Sequence, residues 1–121
     1  MICFLPKSNC DKKYFVSICG IFKNEGSYLK EWIEYHRVVG VDHIYLYNNQ
    51  STDAYLKAIT PYIESGYVTL VQWEHDHQQM EAYKDCVARF GNESNWFGFI
   101  DLDEFVVPVE DNDIKDFFQK V

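Results

Sequence analysis

The chain has 121 residues, 47% of them hydrophobic and 17% aromatic, and 19 acidic against 11 basic side chains leave a formal charge of −8. That length suits one compact domain, and the apolar share excludes a disordered acidic tail. No basic stripe is present to displace counterions from phosphates, which excludes a nucleic-acid partner. An anionic ligand would need a divalent cation to neutralise it.

No run of 18 apolar residues exists, so no transmembrane segment is expected. Residues 1–13 start apolar (Ile2, Cys3, Phe4, Leu5) and turn polar from Pro6, too short and too polar for a signal-peptide core. They read as an N-terminal extension ahead of a domain covering residues 14–121. Cys3, Cys10, Cys19 and Cys86 form no CxxC pair, and a domain of this size needs no disulfide staples. They read as reduced thiols of a cytoplasmic protein, with Cys19 a small core residue.

Tyr14 to Phe22 (YFVSICGIF) is a nearly continuous apolar run, the pattern of a strand buried on both faces. Asn24-Glu25-Gly26-Ser27 breaks it. Leu29, Trp32, Ile33 and His36 then recur at helical spacing, and Gly40 stands where a helix ends. His43 to Tyr47 is a second strand, followed by polar turn chemistry from Asn48 to Asp53 that offers N-caps for the next helix. Leu56, Ile59 and Ile63 give that helix its buried stripe, Pro61 is expected to split or bend it, and Gly66 ends it. Tyr67 to Trp73 is a third strand. Met80, Tyr83, Val87 and Phe90 mark the third helix, closed by Gly91. Trp96 to Ile100 is a fourth strand with Asp101-Leu102-Asp103-Glu104 at its end, and an extended run to Pro108 leads to a last short helix around Ile114, Phe117 and Phe118.

Strands and helices in alternation predict an α/β fold: an open, mostly parallel sheet with helices on both faces. Ligands of such sheets bind outside the carboxyl ends of the strands. The polar clusters fall at those ends: Asn24 and Glu25, Asn48 to Asp53, and Asp101 to Glu104.

Asp101 and Asp103, two apart in an extended segment, would point the same way while Leu102 points to the other face. Adjacent carboxylates repel, and a hard cation, Mn²⁺ or Mg²⁺, removes that penalty and could bridge them to a diphosphate. The plain alternative is a solvated acidic turn or a helix cap. Asn24 and Glu25 read either as a turn with an N-cap or as hydrogen-bonding groups facing a base or ribose, and Asn48-Asn49 carry the same two readings. Asp53 reads as a helix cap, and Tyr83 as core packing. His75-Asp76-His77 has histidines two apart with no evident partner set, which argues against zinc. GxGxxG, P-loop and GxSxG motifs are lacking, so dinucleotide oxidoreductases, P-loop NTPases and serine hydrolases lose their usual support.

Three ordered stretches, Ile21 to His36 (IFKNEGSYLKEWIEYH), Gly40 to Asp53 (GVDHIYLYNNQSTD) and Phe99 to Phe105 (FIDLDEF), together resemble glycosyltransferase family 92 and its bacterial relatives. These sit close to the family-2-like group of the GT-A fold. The resemblance runs from about Tyr14 to the C-terminus and implies the Rossmann-like, nucleotide-binding half of a GT-A enzyme. Such an enzyme transfers a sugar from a nucleotide sugar, with UDP or GDP as carrier, to a hydroxyl of a glycan, lipid-linked or protein-linked acceptor. It implies that Asp101 and Asp103 are the DxD motif that holds metal and nucleotide sugar, and that Asn24 and Glu25 lie beside the nucleotide. Asn49 stands where relatives usually carry an aspartate facing the base. Asp85 stands where they commonly have asparagine; each substitute can still hydrogen-bond.

GT-A catalytic domains continue well beyond the DxD strand into an acceptor-binding half, whereas Val121 follows soon after. The chain therefore reads as the donor-binding part. A sheet cut there would expose an apolar edge, which favours a homodimer. The localisation that fits is cytoplasmic, at most peripheral to the inner face of a membrane. The alternative functions are a catalytically silent nucleotide-sugar-binding or partner-binding module, and a phosphohydrolase with an aspartate nucleophile. The latter class places its acidic pair after the first strand, whereas here it follows the fourth.

Overall fold

A computed structural model describes residues 13–75 and 79–107, together with the backbone of residues 3–6. Its elements, in chain order, are β1 (Cys3–Pro6), β2 (Tyr14–Phe22), α1 (Gly26–Val38), β3 (His43–Asn48), α2 (Tyr55–Glu64), β4 (Val68–Gln72), α3 (Gln79–Phe90), a 3₁₀ turn (Gly91–Glu93) and β5 (Ser94–Phe99). They form one five-stranded sheet in the order β1-β5-β2-β3-β4. β2 pairs in parallel with both β3 and β5, and β3 with β4, as the alternation of strands and helices predicts. β1 is an antiparallel edge strand on β5, running Cys3 opposite Phe99 to Pro6 opposite Trp96, and it was not foreseen.

The period of two along the central strand distributes its side chains between two cores. Val16, Ile18 and Phe22 of β2 face one way, with Ile44 and Leu46 of β3, and meet Leu29, Trp32 and Ile33 of α1 and Ile59 and Tyr62 of α2. Cys19 of β2, Tyr45 and Tyr47 of β3, and Phe97 and Phe99 of β5 face the other way and meet Ala82, Tyr83 and Cys86 of α3. Helices thus cover both faces, as expected. The chain steps outward from β2 to β4 over one face, then returns across the other to lay β5 on the far side of β2. The sheet therefore changes winding direction between β2 and β5, and the carboxyl ends of these strands are where sheets of this kind place their ligand crevice.

Local chemistry explains most boundaries. Gly40 sits at φ 107°, a left-handed turn that stops α1 as its sequence position predicts. The Asp42 carboxylate then accepts the backbone N–H groups of Phe15 and Val16 at 3.0 and 3.1 Å, tying the start of β2 to the α1–β3 loop.

Several expectations are corrected. α2 runs unbroken through Pro61; the carbonyl that loses its partner belongs to the exposed Lys57, where water can replace the missing bond. Its buried line passes through Ile59 and Tyr62, and Leu56 is 50% exposed at the rim of that line. Met80 is likewise 56% exposed, because α3 turns Ala82, Tyr83 and Cys86 to the sheet. No side chain from Asn48 to Asp53 caps α2, whose N-cap is Ala54. Cys10, Asp76, His77 and the last helix around Ile114, Phe117 and Phe118 lie outside the described residues. Among the described residues, no helix is long and apolar enough to cross a membrane.

Candidate functional site

The crevice between the ends of β2 and β5 gathers the acidic side chains. After β5 the chain does not continue extended. It folds into a tight turn in which the Glu104 N–H donates to the Asp101 carbonyl at 3.0 Å. Leu102 is 4% exposed and plugs into the core under α1, which leaves Asp101 and Asp103 on the outer side; the expected placement is reached through a turn and not through an extended segment. The turn adds a group the spacing did not predict. One oxygen each from Asp101, Asp103 and Glu104 lies within 4.8 Å of the others. The Glu104 carboxylate also accepts the Asp101 N–H at 3.2 Å, which fixes the turn's shape.

The other wall is the end of β2. Burial pushes the Glu25 carboxyl up from its ordinary value, and the charges of Asp103 and Asp101 push it further, against a hydrogen bond from the Lys23 N–H. Glu25 thus lies close enough to the acidic turn to feel its charge. For Asp101, burial acts upward too, but hydrogen bonds and a nearby positive charge outweigh it and hold the carboxyl below its usual value. Two of those bonds come from α3: Gln79 Nε2 donates to Asp101 Oδ1 at 2.6 Å and the Tyr83 hydroxyl at 3.2 Å. Gln79 also donates to the Tyr83 oxygen at 3.0 Å, so the two act as one clamp. Tyr83 is buried in the core as predicted, and its hydroxyl serves the site as well. The signal available in the sequence was the i, i+4 spacing of Gln79 and Tyr83 on one helix face.

Charges this close repel by roughly 3–4 kcal/mol per pair at an effective dielectric of ~20, and by ~1 kcal/mol in bulk water. A divalent cation would remove the same penalty, and an all-oxygen donor set of carboxylates suits Mg²⁺ or Mn²⁺ rather than zinc or copper. The residues present fit such an ion.

Asn24 and Asp53 do something different. Asn24 adopts φ 54°, in the left-handed region. Its side-chain oxygen accepts the N–H of Thr52 at 2.7 Å, the Thr52 hydroxyl at 3.3 Å and the N–H of Asp53 at 3.2 Å, while its own N–H donates to Ser51 Oγ at 2.9 Å. The Asp53 carboxylate accepts the Gly26 N–H at 2.9 Å, so it caps α1 rather than the helix that follows it. A Cβ on Gly26 would stand 2.9 Å from that carboxylate and 3.1 Å from the Tyr55 Cα, which is why the position is glycine. The loops after β2 and β3 are thus locked together.

Asn49 and Asp85 are also engaged. Asn49 Nδ2 donates to the His75 carbonyl at 2.7 Å, joining the loops after β3 and β4. Asp85 accepts the Tyr47 hydroxyl at 2.5 Å and Arg89 at 3.4 Å on the α3 face. The structure therefore brings Glu25, Asp101 and Asp103 together and adds Glu104. It gives Asn24 and Asn49 loop-joining bonds and engages Asp85 at Tyr47.

The family model for glycosyltransferase family 92 matches residues 12–121. The chain belongs to glycosyltransferase family 92. A family 92 protein of Ricinus communis is 32% identical over 101 residues, covering 83% of this chain and 18% of that protein. One from Arabidopsis thaliana is 33% identical over 94 residues, covering 77% of this chain and 16% of its own length. The beta-1,4-galactosyltransferase galt-1 of Caenorhabditis elegans is 31% identical over 110 residues, covering 79% and 26% respectively. The chain thus spans at most about a quarter of the length of these relatives.

Proposed function

We propose that this chain supplies the donor-binding part of a metal-assisted glycosyltransferase, which moves a sugar from a nucleotide sugar to an acceptor hydroxyl. The observation that carries the reading is the carboxylate cluster of Asp101, Asp103 and Glu104 at the switch point of a parallel sheet, with Glu25 close enough to feel its charge. Family membership makes sugar transfer the reaction class. When bound, Mn²⁺ or Mg²⁺ supplies positive charge against the diphosphate that departs as the bond to the sugar's anomeric carbon breaks. Asp101 and Asp103 would hold the ion, and Gln79 and Tyr83 aim Asp101 through their hydrogen bonds. The interlocked loops after β2 and β3 form the side of the site beside the nucleoside. UDP and GDP are the carriers to test, and galactose is the first sugar to try because one relative is named for its transfer.

A second reading, a nucleotide-sugar-binding module without turnover of its own, has one observation in its favour. The described carboxylates at the crevice all belong to the acidic group, and His36 and His43 are buried, which leaves His75, exposed after β4, as the described histidine that could take an acceptor's proton.

The test is calorimetry with UDP and GDP, with and without Mn²⁺, on the chain and on Asp103→Ala. Binding that requires Mn²⁺ and is lost in Asp103→Ala is expected. Equal binding by the variant, or binding indifferent to metal, overturns the metal role. Release of UDP from UDP-galactose in the presence of an acceptor separates enzyme from silent module.

A further inference from the structure

The acidic turn is not held by the sheet alone. Beyond Ile100 its backbone and that of the outgoing chain are held by side chains from one face of α1. Trp32, fully buried, donates its indole N–H to two carbonyls of the turn, Asp101 at 3.2 Å and Glu104 at 3.0 Å. One turn further along α1, Tyr35 donates its hydroxyl to the Val106 carbonyl at 2.6 Å. His36 Nε2 accepts the Val106 N–H at 3.3 Å. Both backbone polar groups of Val106 are therefore satisfied by α1 side chains, as a neighbouring strand would satisfy them. The bond at Nε2 fixes the histidine tautomer: the proton sits on Nδ1 and is donated to the Trp32 carbonyl at 2.9 Å. His36 thus ties the strap to the residue that grips the turn. The Phe105 ring lies parallel to the His36 ring at 5.8 Å and edge-on to Tyr35 at 5.0 Å, closing the contact.

The geometry points to Trp32, Tyr35 and His36 as positioning residues for the cation and diphosphate: they set the spacing of Asp101 and Glu104 through the backbone and touch no ligand themselves. This rests on the donor-site reading above. The hydrogen bonds run to the carbonyls of the first and last residues of the acidic turn. Loss of the indole N–H leaves both carbonyls without that donor and lets the turn open, which spreads the carboxylates that must converge on one ion. A merely structural role would lower stability and leave the affinity of the folded protein unchanged.

The experiment measures Mn²⁺·UDP affinity by calorimetry for the chain and for Tyr35→Phe, Trp32→Phe, His36→Gln and His36→Leu. Each is titrated well below its unfolding midpoint. Losing hydrogen bonds that hold a ligand-bearing turn should weaken binding about threefold in Tyr35→Phe and about tenfold in Trp32→Phe and His36→Leu. His36→Gln, whose amide can accept from Val106 and donate to the Trp32 carbonyl, should bind within about twofold of the original chain. The ¹⁵N-bound indole proton of Trp32, identified by its loss in Trp32→Phe or by selective labelling, should shift on addition of Mg²⁺·UDP. If Trp32→Phe does not fold, Tyr35→Phe and the two His36 variants decide. Folded variants that bind like the original chain, a glutamine variant no better than leucine, or an indole resonance that ignores the ligand each overturn the strap alone. No binding of Mn²⁺·UDP by the original chain overturns the strap and the donor-site reading together.

Discussion

Replacing Asn24 separates a loop-locking role from a ligand contact. Its side-chain oxygen accepts from Thr52 and Asp53, and its backbone sits at φ 54°. Asn24→Ala removes the acceptor and forces an L-residue with a Cβ into the left-handed region. The strain costs about 1 kcal/mol relative to asparagine. The donors are exposed and water replaces part of what they lose, so their bonds account for about 1–2 kcal/mol together. The expected loss is about 2–3 kcal/mol, which at a urea slope near 2 kcal/mol per molar moves the unfolding midpoint down by about 1–1.5 M. Asn24→Gly removes the strain but not the lost bonds, and adds about 0.5–1 kcal/mol of unfolded-state entropy, so it should fall slightly short of the alanine variant. The assay is urea unfolding followed by circular dichroism without any ligand. Variants that unfold with the original chain would refute the lock and return Asn24 to the role of a nucleotide contact.

The remaining predictions test packing and pH. Ile59→Ala, at a fully buried position of α2, should cost about 3 kcal/mol. Leu56→Ala, at a half-exposed position, should stay within about 0.5 kcal/mol in the same unfolding assay; equal losses would show that the buried line of α2 is wrongly drawn. Burial lowers the His36 and His43 imidazoles to about 4, so the folded protein keeps them neutral while the unfolded chain takes up protons near 6.5. Stability from this source is complete above pH 6.5 and is lost as the pH falls toward 4. His43→Phe, which keeps a ring against Tyr14, should flatten that part of the stability–pH curve; an unchanged slope would count against a neutral buried His43.

The fold was legible because its signals are strong and local. The apolar run from Tyr14 to Phe22 could only be a strand buried on both faces, and Gly40 could stop α1 because glycine tolerates the turn it makes. β1 was not legible: four residues before a polar break carry too little pattern, and what places them is the open edge of β5. At the site, the residue types at the strand ends were readable, and their partners were not. Asp101 and Asp103 could be placed on one side of the chain from their spacing. That Glu104 joins them depends on a turn whose shape is set by the Glu104 carboxylate and by Trp32, 69 residues away from Asp101 in sequence. Asp53 had the chemistry of a helix cap, and the helix it caps is not the next one but α1, through the lock with Asn24. Each such miss is a side chain acting on backbone across the crevice, where periodicity along one segment carries no information. The parts of the site that the sequence names directly are those whose proposed role is their own charge. The parts read incompletely, Trp32, His36, Tyr83 and Asn24, look in the sequence like core or turn residues because they are core and turn residues. Their second task is to decide where those charges stand.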